Sequence, residues 1–458
     1  MKRISKRSAV LMILLAVLAA GAVFFGVRYV MYSGQWAVFS GSPHLYQGGN
    51  ISDGLVTDRG GVKLLDGTDG RSYAEDETLR RATMHLLGDR YGYIDAPMLD
   101  PYTDKIAGHN IINGLYRAPQ RINAVTLTIS SQVQKAALEA LGSRKGTIGV
   151  YNYQTGEILC SVTAPTYDPD NAPNVESDTT GAYTGVYVNR FFQMTYVPGS
   201  IFKVLTSVAA IENMEDVFDR SFVCEGTMTV GSDDIICSST HGTINFRQAL
   251  AKSCNCVFGQ LAMELGKDTL TKYAKKAGIM SSLEIDGIRT KAGNFDLSDA
   301  AVGQVAWAGI GQHTDLVNPC QYMQFMGAIG GGGKSAAPYL VQSVTSGLIG
   351  SHEGKTVLSE RVMSEETAEI LASMMRDNVV SVYGTEHFPP VQVCAKSGTA
   401  EVGEGLTPHA TFAGFVAEEK YPLAFVVIVE HGGSGSATCA PIAGKVLSAC
   451  VEAMDAEK

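Results

Sequence analysis

Charge and hydropathy divide the chain sharply at its start. Met1 to Arg7 carries four positive charges, and Ser8 to Val27 carries none while being rich in Leu, Val and Ala. Twenty such residues make a helix of about 30 Å, the thickness of a bilayer's hydrocarbon core. Basic residues before the run and few after it place the N-terminus in the cytoplasm and the rest of the chain outside. Arg28, Tyr29, Tyr32 and Trp36 resemble an interfacial belt. The competing reading is a cleaved signal peptide, with small residues at Leu18-Ala-Ala-Gly-Ala22, but the run is longer than a usual signal core.

From Gly34 to about Asn123 the pattern is irregular and rich in Gly, Asp and Tyr, with one amphipathic helix over Asp76–Leu87. This predicts a small pedestal. A second unit begins near Ala124. Ser130 to Leu141 has helical spacing behind serine caps. Gly146–Tyr153 and Glu157–Ala164 read as strands joined by the Gln154-Thr-Gly156 turn, hence a hairpin. From Ser200 to about Met280 the chain is mainly helical, with apolar positions at helical spacing over Ser200–Glu212 and Phe246–Leu265. Cys320–Ile329 and Val362–Val379 follow as helices. Strands return at Val391–Ala395, Ala410–Ala417 and Leu423–Glu430, before a last helix over Ile442–Met454. Only a sheet that joins early and late strands, with the helical block beside it, buries all these apolar faces. The division is 1–7 tail, 8–30 anchor, 31–123 pedestal and 124–458 main domain.

The 458 residues are 45% hydrophobic, enough for a large core, and the net charge of -10 argues against nucleic acid as a partner. Nine cysteines are present. Cys224 and Cys237 flank a turn-rich segment and are the candidate disulfide pair of an exported chain, the alternative being nine buried thiols. No Cys-x-x-Cys, His-Glu-x-x-His or clustered His/Asp spacing argues for a metal, so none is expected, and no cofactor.

The chemistry centres on Ser200-Ile-Phe-Lys203 at a helix start. Positions i and i+3 share a helix face, so Lys203 can take the Ser200 proton and activate the hydroxyl. Two further stretches stand with it: Ser253-Cys254-Asn255 in the helical block and Lys396-Ser397-Gly398-Thr399 after a strand. Ser-x-x-Lys, then Ser-x-Asn, then Lys-Ser-Gly-Thr is the signature set of penicillin-binding proteins and serine β-lactamases. Thr155-Gly-Glu-Ile-Leu159 with Ala164-Pro-Thr-Tyr-Asp-Pro169, Asn189-Arg190 ahead of Tyr196-Val-Pro-Gly-Ser200, and Gly309-Ile-Gly-Gln312 with Asn318-Pro319 extend the resemblance to class B penicillin-binding proteins of compact form. The resemblance covers about Ala124–Cys450, and only loosely the pedestal.

The resemblance implies an α/β (α+β) transpeptidase fold: an antiparallel sheet flanked by helices, plus a helical subdomain. It implies D,D-transpeptidation of peptidoglycan stem peptides, inhibited by β-lactams, and an integral-membrane glycan polymerase as partner. Ser200 is then the nucleophile. Lys203 is its base, with a pKa lowered by partial burial and by the Lys396 charge. Ser253 bridges the two lysines, and Asn255 holds the stem backbone. Lys396, Ser397 and Thr399 take the substrate carboxylate. Gly398 lets the substrate strand lie flat. The Ser200 and Thr399 N–H groups form the oxyanion hole. A D,D-carboxypeptidase or β-lactamase on the same scaffold is the rival enzyme, and an inactive scaffold or β-lactam sensor the rival non-enzyme. Two near-matches to a phosphate loop, Ala328–Ser335 and Gly350–Thr356, lack the required glycine or spacing.

Overall fold

The computed structural model describes residues 2–39, 42, 45–68, 70–115, 123–346 and 351–457. The near-match beginning at Gly350 therefore starts outside the described residues. The one at Ala328 begins in the last turn of the Pro319–Gly330 helix, so no strand feeds it.

The early hairpin and the three late strands form one five-stranded antiparallel sheet. Its strands are β1 (Gly146–Asn152), β2 (Ile158–Ala164), β3 (Val393–Ala400), β4 (His409–Val416) and β5 (Leu423–Val429), in the spatial order β2-β1-β5-β4-β3. β1, β2 and β5 are buried along their whole length, which is why they read as continuous apolar runs. Alternate residues serve two cores. Ile148, Val150, Phe412, Phe425 and Val427 meet the Ser131–Leu141 and Gly435–Ala456 helices through Val133, Leu141, Val446 and Leu447. Tyr151, Phe415, Val426 and Ile428 face the other way, toward Met323, Phe325 and the helical block. β3 is one of the two edge strands, and the Lys396–Thr399 motif lies inside it rather than after it. The final helix begins earlier than its periodicity predicts, at Gly435, where the Ser434 hydroxyl caps the Ala437 N–H.

The Ser130 hydroxyl does not cap its helix. The first helical N–H, from Ser131, is taken instead by the Asp58 carboxylate of the pedestal at 2.9 Å. A second, six-stranded sheet crosses the boundary expected at Ala124. Leu55–Thr57 pairs antiparallel with Lys63–Asp66 on one side and parallel with Ala124–Leu127 on the other. Ala124–Leu127 in turn pairs with Val341–Thr345.

The segment after Met214 is less helical than its pattern predicts. Two small hairpins interrupt it, Ser221–Cys224 with Gly242–Asn245 and Thr227–Val230 with Asp233–Ile236. The expected Phe246–Leu265 helix is two, Phe246–Ala251 and Asn255–Lys276, broken where Ser253 takes φ 54. At the N-terminus, Lys2–Ala37 is one helix. Its Ser5–Ala37 part is long and apolar enough to cross a membrane, and its most apolar stretch is wholly exposed.

Candidate active site

Three elements meet at the edge strand β3. Gly199–Phe202 forms a tight turn of helix that runs straight into the Lys203–Asn213 helix. The turn starts on Gly199 at φ +57, where any Cβ would lie 2.7 Å from the Thr399 carbonyl. Pro198-Gly199 thereby brings Ser200 hard against β3. The buried Tyr322 hydroxyl donates to the Ile201 carbonyl at 2.6 Å, and the Thr411 hydroxyl to the Pro198 carbonyl at 3.1 Å. Both brace the turn, and neither was readable from the sequence, because each acts across more than a hundred residues.

Lys203 is fully buried. Its Nζ is 2.8 Å from Ser200 Oγ, 2.8 Å from the Ser253 carbonyl, 3.1 Å from Ser253 Oγ and 2.6 Å from Asn255 Oδ1. The Ser253 carbonyl can only accept. Asn255 is fixed the same way round, because its Nδ2 donates to the Ile236 carbonyl at 2.7 Å. Two N–H groups are thus committed to obligate acceptors. A neutral amine has two, which leaves its lone pair facing the hydroxyls. Burial pushes the amine down to about 7, against the neighbouring Cys237, Cys254 and Cys256 thiols, which pull the other way. Burial, which the resemblance implied together with the Lys396 charge, therefore dominates the Lys203 shift. Lys396 is pushed well below the ordinary lysine range, first by burial and then by Lys203. Its Nζ lies 3.0 Å from Ser253 Oγ and 2.7 Å from the Ser397 carbonyl. Ser253 Oγ therefore stands between the two amines, held by a left-handed backbone that is unusual for a serine.

The cleft above these groups has a volume of about 520 Å³ and is lined by Ser200, Ser253, Asn255, Ser397, Gly398 and Thr399, with Trp307 and Gln312 at its wall. All eight motif residues named from the sequence meet there or directly beneath it. Two details differ. Gly398 is required from the inside: a Cβ would sit 2.3 Å from Thr411 Oγ1 and 3.0 Å from the Pro198 carbonyl. The Ser397 hydroxyl is engaged by Tyr383, whose OH also accepts the Ser397 N–H at 2.9 Å.

Cys224 and Cys237 are not bonded to each other, and all nine cysteines are free thiols. The physical reason is a crowd. Cys224, Cys237, His241 and Cys254 bring their donor atoms within 4.8 Å of one another, just behind the Ser-Cys-Asn motif. The Cys254 thiol and the Asn255 N–H at 3.2 Å hold the Cys237 thiol well below its usual range. This is a donor set that can hold a metal, contrary to the expectation of none. The signal, Cys-x12-Cys-x3-His-x12-Cys, was present in the letters but has no short Cys-x-x-Cys pair to announce it.

Residues 146–448 match the family model described as the penicillin binding protein transpeptidase domain. The peptidoglycan D,D-transpeptidase PbpA of Mycolicibacterium smegmatis is 27% identical over 387 residues, covering 77% of this chain and 78% of that one. Stage V sporulation protein D of Bacillus subtilis is 27% identical over 72% of this chain and 54% of its own. Penicillin-binding protein A of M. tuberculosis, solved as a ceftriaxone acyl-enzyme complex, superposes with a TM-score of 0.75 at 23% identity, over 89% of this chain and 98% of that one. The D,D-transpeptidase domain of an Eggerthella lenta peptidoglycan glycosyltransferase superposes with the same score at 26% identity, over 88% and 98%. With the family model spanning well over half the chain and all three motifs in its cleft, the chain belongs to the penicillin-binding protein transpeptidases, in their class B branch.

Proposed function

We propose that this chain is a serine D,D-transpeptidase that cross-links peptidoglycan stem peptides. One observation carries the reading. The buried Lys203 amine spends its two N–H groups on fixed acceptors and presents its remaining valence to Ser200 Oγ at 2.8 Å. Ser200 Oγ attacks the carbonyl of the penultimate D-Ala while Lys203 takes its proton. The tetrahedral oxyanion lies between the N–H groups of Ser200 and Thr399. Ser253, hydrogen-bonded to both amines, relays a proton to the leaving D-Ala nitrogen as the C–N bond breaks. An amine of a neighbouring stem then attacks the acyl-enzyme, and Lys203 again takes a proton. Lys396 and Thr399 hold the terminal carboxylate, and Asn255 the stem backbone. A β-lactam enters by the same attack, with ring opening in place of D-Ala departure.

The N-terminal helix anchors the chain in the membrane with residues 1–7 cytoplasmic and the catalytic domain outside. Residues 31–123 serve as pedestal and 124–458 as transpeptidase domain. Support comes from the uncharged run behind four basic residues. The solved complex of penicillin-binding protein PBP2 with MreC from Helicobacter pylori, whose PBP2 shares this fold, makes a protein partner reasonable. The partner we infer is an integral-membrane glycan polymerase. Fluorescent penicillin incubated with the purified chain should label it once, at Ser200, and the label should persist for hours. Labelling that survives Ser200→Ala would overturn the assignment. Release within seconds would identify a β-lactamase instead.

A further inference from the structure

The thiol and imidazole cluster behind the Ser-Cys-Asn motif takes no direct part in the acyl-transfer chemistry. Its four donors come from four places in the chain. Cys224 ends one strand of the first small hairpin, and Cys237 follows the last strand of the second. His241 precedes the return strand Gly242–Asn245, and Cys254 immediately precedes the Asn255–Lys276 helix. The loops between them have no covalent reason to converge. They converge on one point.

The spacing at that point is informative. His241 Nδ1 is 3.5 Å from Cys224 Sγ and 3.5 Å from Cys237 Sγ, and Cys237 Sγ is 3.8 Å from Cys254 Sγ. A zinc ion with Zn–S near 2.3 Å and Zn–N near 2.0–2.1 Å sits in a tetrahedron whose S···S edges are about 3.8 Å and whose S···N edges are about 3.5 Å. The three distances are those edges. A disulfide needs its sulfurs at about 2.05 Å, so the cluster is not one. A second observation points the same way. The Asn255 N–H donates to Cys237 Sγ at 3.2 Å, a short N–H···S contact of the kind that supports a metal-bound thiolate from outside its coordination shell. Cys224, Cys237 and Cys254 are buried and His241 is half-buried, so the ion would be shielded from bulk water.

We propose that Cys224, Cys237, His241 Nδ1 and Cys254 bind one structural zinc ion. Three thiols give up their protons to solvent as three Zn–S bonds form, the neutral imidazole supplies the fourth bond, and no coordination position is left for substrate. The site is closed, so its role is architectural. It ties both small hairpins to the start of the Asn255–Lys276 helix. Its fourth ligand, Cys254, is the middle residue of Ser253-Cys254-Asn255. The two residues either side of it supply Lys203 with its carbonyl, hydroxyl and amide contacts. The zinc ligands are therefore positioning residues for the Lys203 amine. The inference stands on the cluster alone and does not depend on the transpeptidase reading.

The full-length chain, purified in detergent without chelator, should contain one zinc per chain, with all nine thiols titrating after denaturation in chelator. Cobalt exchanged into the site should give a thiolate-to-cobalt charge-transfer band and the intense visible bands of tetrahedral cobalt. Cys224→Ser and His241→Ala should drop the metal below about a tenth of an equivalent, lower the melting temperature and slow penicillin acylation at least tenfold. Cys320→Ala, in the distant Pro319–Gly330 helix, should keep its zinc, and so should Ser200→Ala. Wild-type chain with no zinc and nine thiols would overturn the proposal. So would wild-type chain with no zinc and two thiols missing, which would make the cluster a disulfide site. If the ligand variants do not fold, the stoichiometry and cobalt spectrum of the wild-type chain decide the matter alone.

Discussion

At the residue scale the decisive group is Lys203. An ammonium in its position would have to satisfy three N–H bonds and keep a charge with no solvent around it. The surroundings favour the neutral form, because burial lowers its pKa to about 7 from an ordinary value near 10.5. The sign of the pH effect follows. Below about 7 the amine carries a proton and cannot accept one from Ser200. Above that it is free. The second-order rate of acylation by a penicillin should climb about tenfold per pH unit from ~5 and level off above ~7. Lys203→Ala should lower the plateau by about 10²–10⁴ and abolish the slope. A wild-type rate that is flat across this range would remove Lys203 from the role of base. The sequence supplied the Ser200–Lys203 pair and the identity of the other motif residues. Burial and the Lys396 charge were both expected to lower the lysine, and which of the two dominates is a property of the closed fold that leaves no mark on a four-residue motif.

At the element scale, legibility followed strand length and burial. β1, β2 and β5 are seven-residue runs buried on both faces, and such runs announce themselves. The four-residue strands of the two small hairpins do not. In the second hairpin the alternation is diluted by Asp233, Asp234, Thr227 and Thr229, and only Ile235 is buried. The Cys/His cluster was missed for the same reason, since it exists only once those hairpins fold. The edge strand β3 was legible as a strand but cut short, because Lys396, Ser397 and Thr399 are polar and look like a loop. The geometry explains why a polar edge strand holds together. Gly398 faces inward, where Thr411 Oγ1 and the Pro198 carbonyl leave no room for a methyl. Gly398→Ala should therefore push β3 from the Ser200 turn, costing about 1–3 kcal/mol in unfolding free energy and slowing acylation. Adding Thr411→Ala removes the nearer obstacle at 2.3 Å and should restore part of both. Denaturant unfolding of the two variants would measure this. A double variant as poor as the sum of its parts would mean the strain lies elsewhere.

At the scale of the whole molecule the question is whether the pedestal is a separate body. Its composition and irregular pattern made it look like one, with a boundary at Ala124. The contacts bind it to the rest of the chain along its length. Leu55–Thr57 is hydrogen-bonded to Ala124–Leu127 as an interior strand of the six-stranded sheet. The Asp58 carboxylate caps the Ser131–Leu141 helix. Arg80 makes a two-pronged bond to Asp168 in the proline-rich loop, at 2.7 Å on both arms. The Tyr102 hydroxyl donates to Asp286 Oδ1 at 2.8 Å, while Asp286 Oδ2 takes the N–H groups of Leu340 and Val341. Cutting the chain before Ala124 would strip a helix of its cap, take the Arg80 guanidinium from Asp168 and take the Tyr102 hydroxyl from Asp286. It would also expose one edge of Ala124–Leu127, and exposed edges of this kind promote aggregation. A chain beginning at Val38, without the N-terminal helix, should unfold in one calorimetric transition whose van't Hoff and calorimetric enthalpies agree. A chain beginning at Ala124 should be poorly soluble or melt many degrees lower. Two separate transitions in the longer chain, one of them matching the shorter chain alone, would make the pedestal an independent domain. Nothing in the hydropathy pattern distinguishes these outcomes, because the strands that join the two regions are short and their paired residues lie 69 apart in sequence.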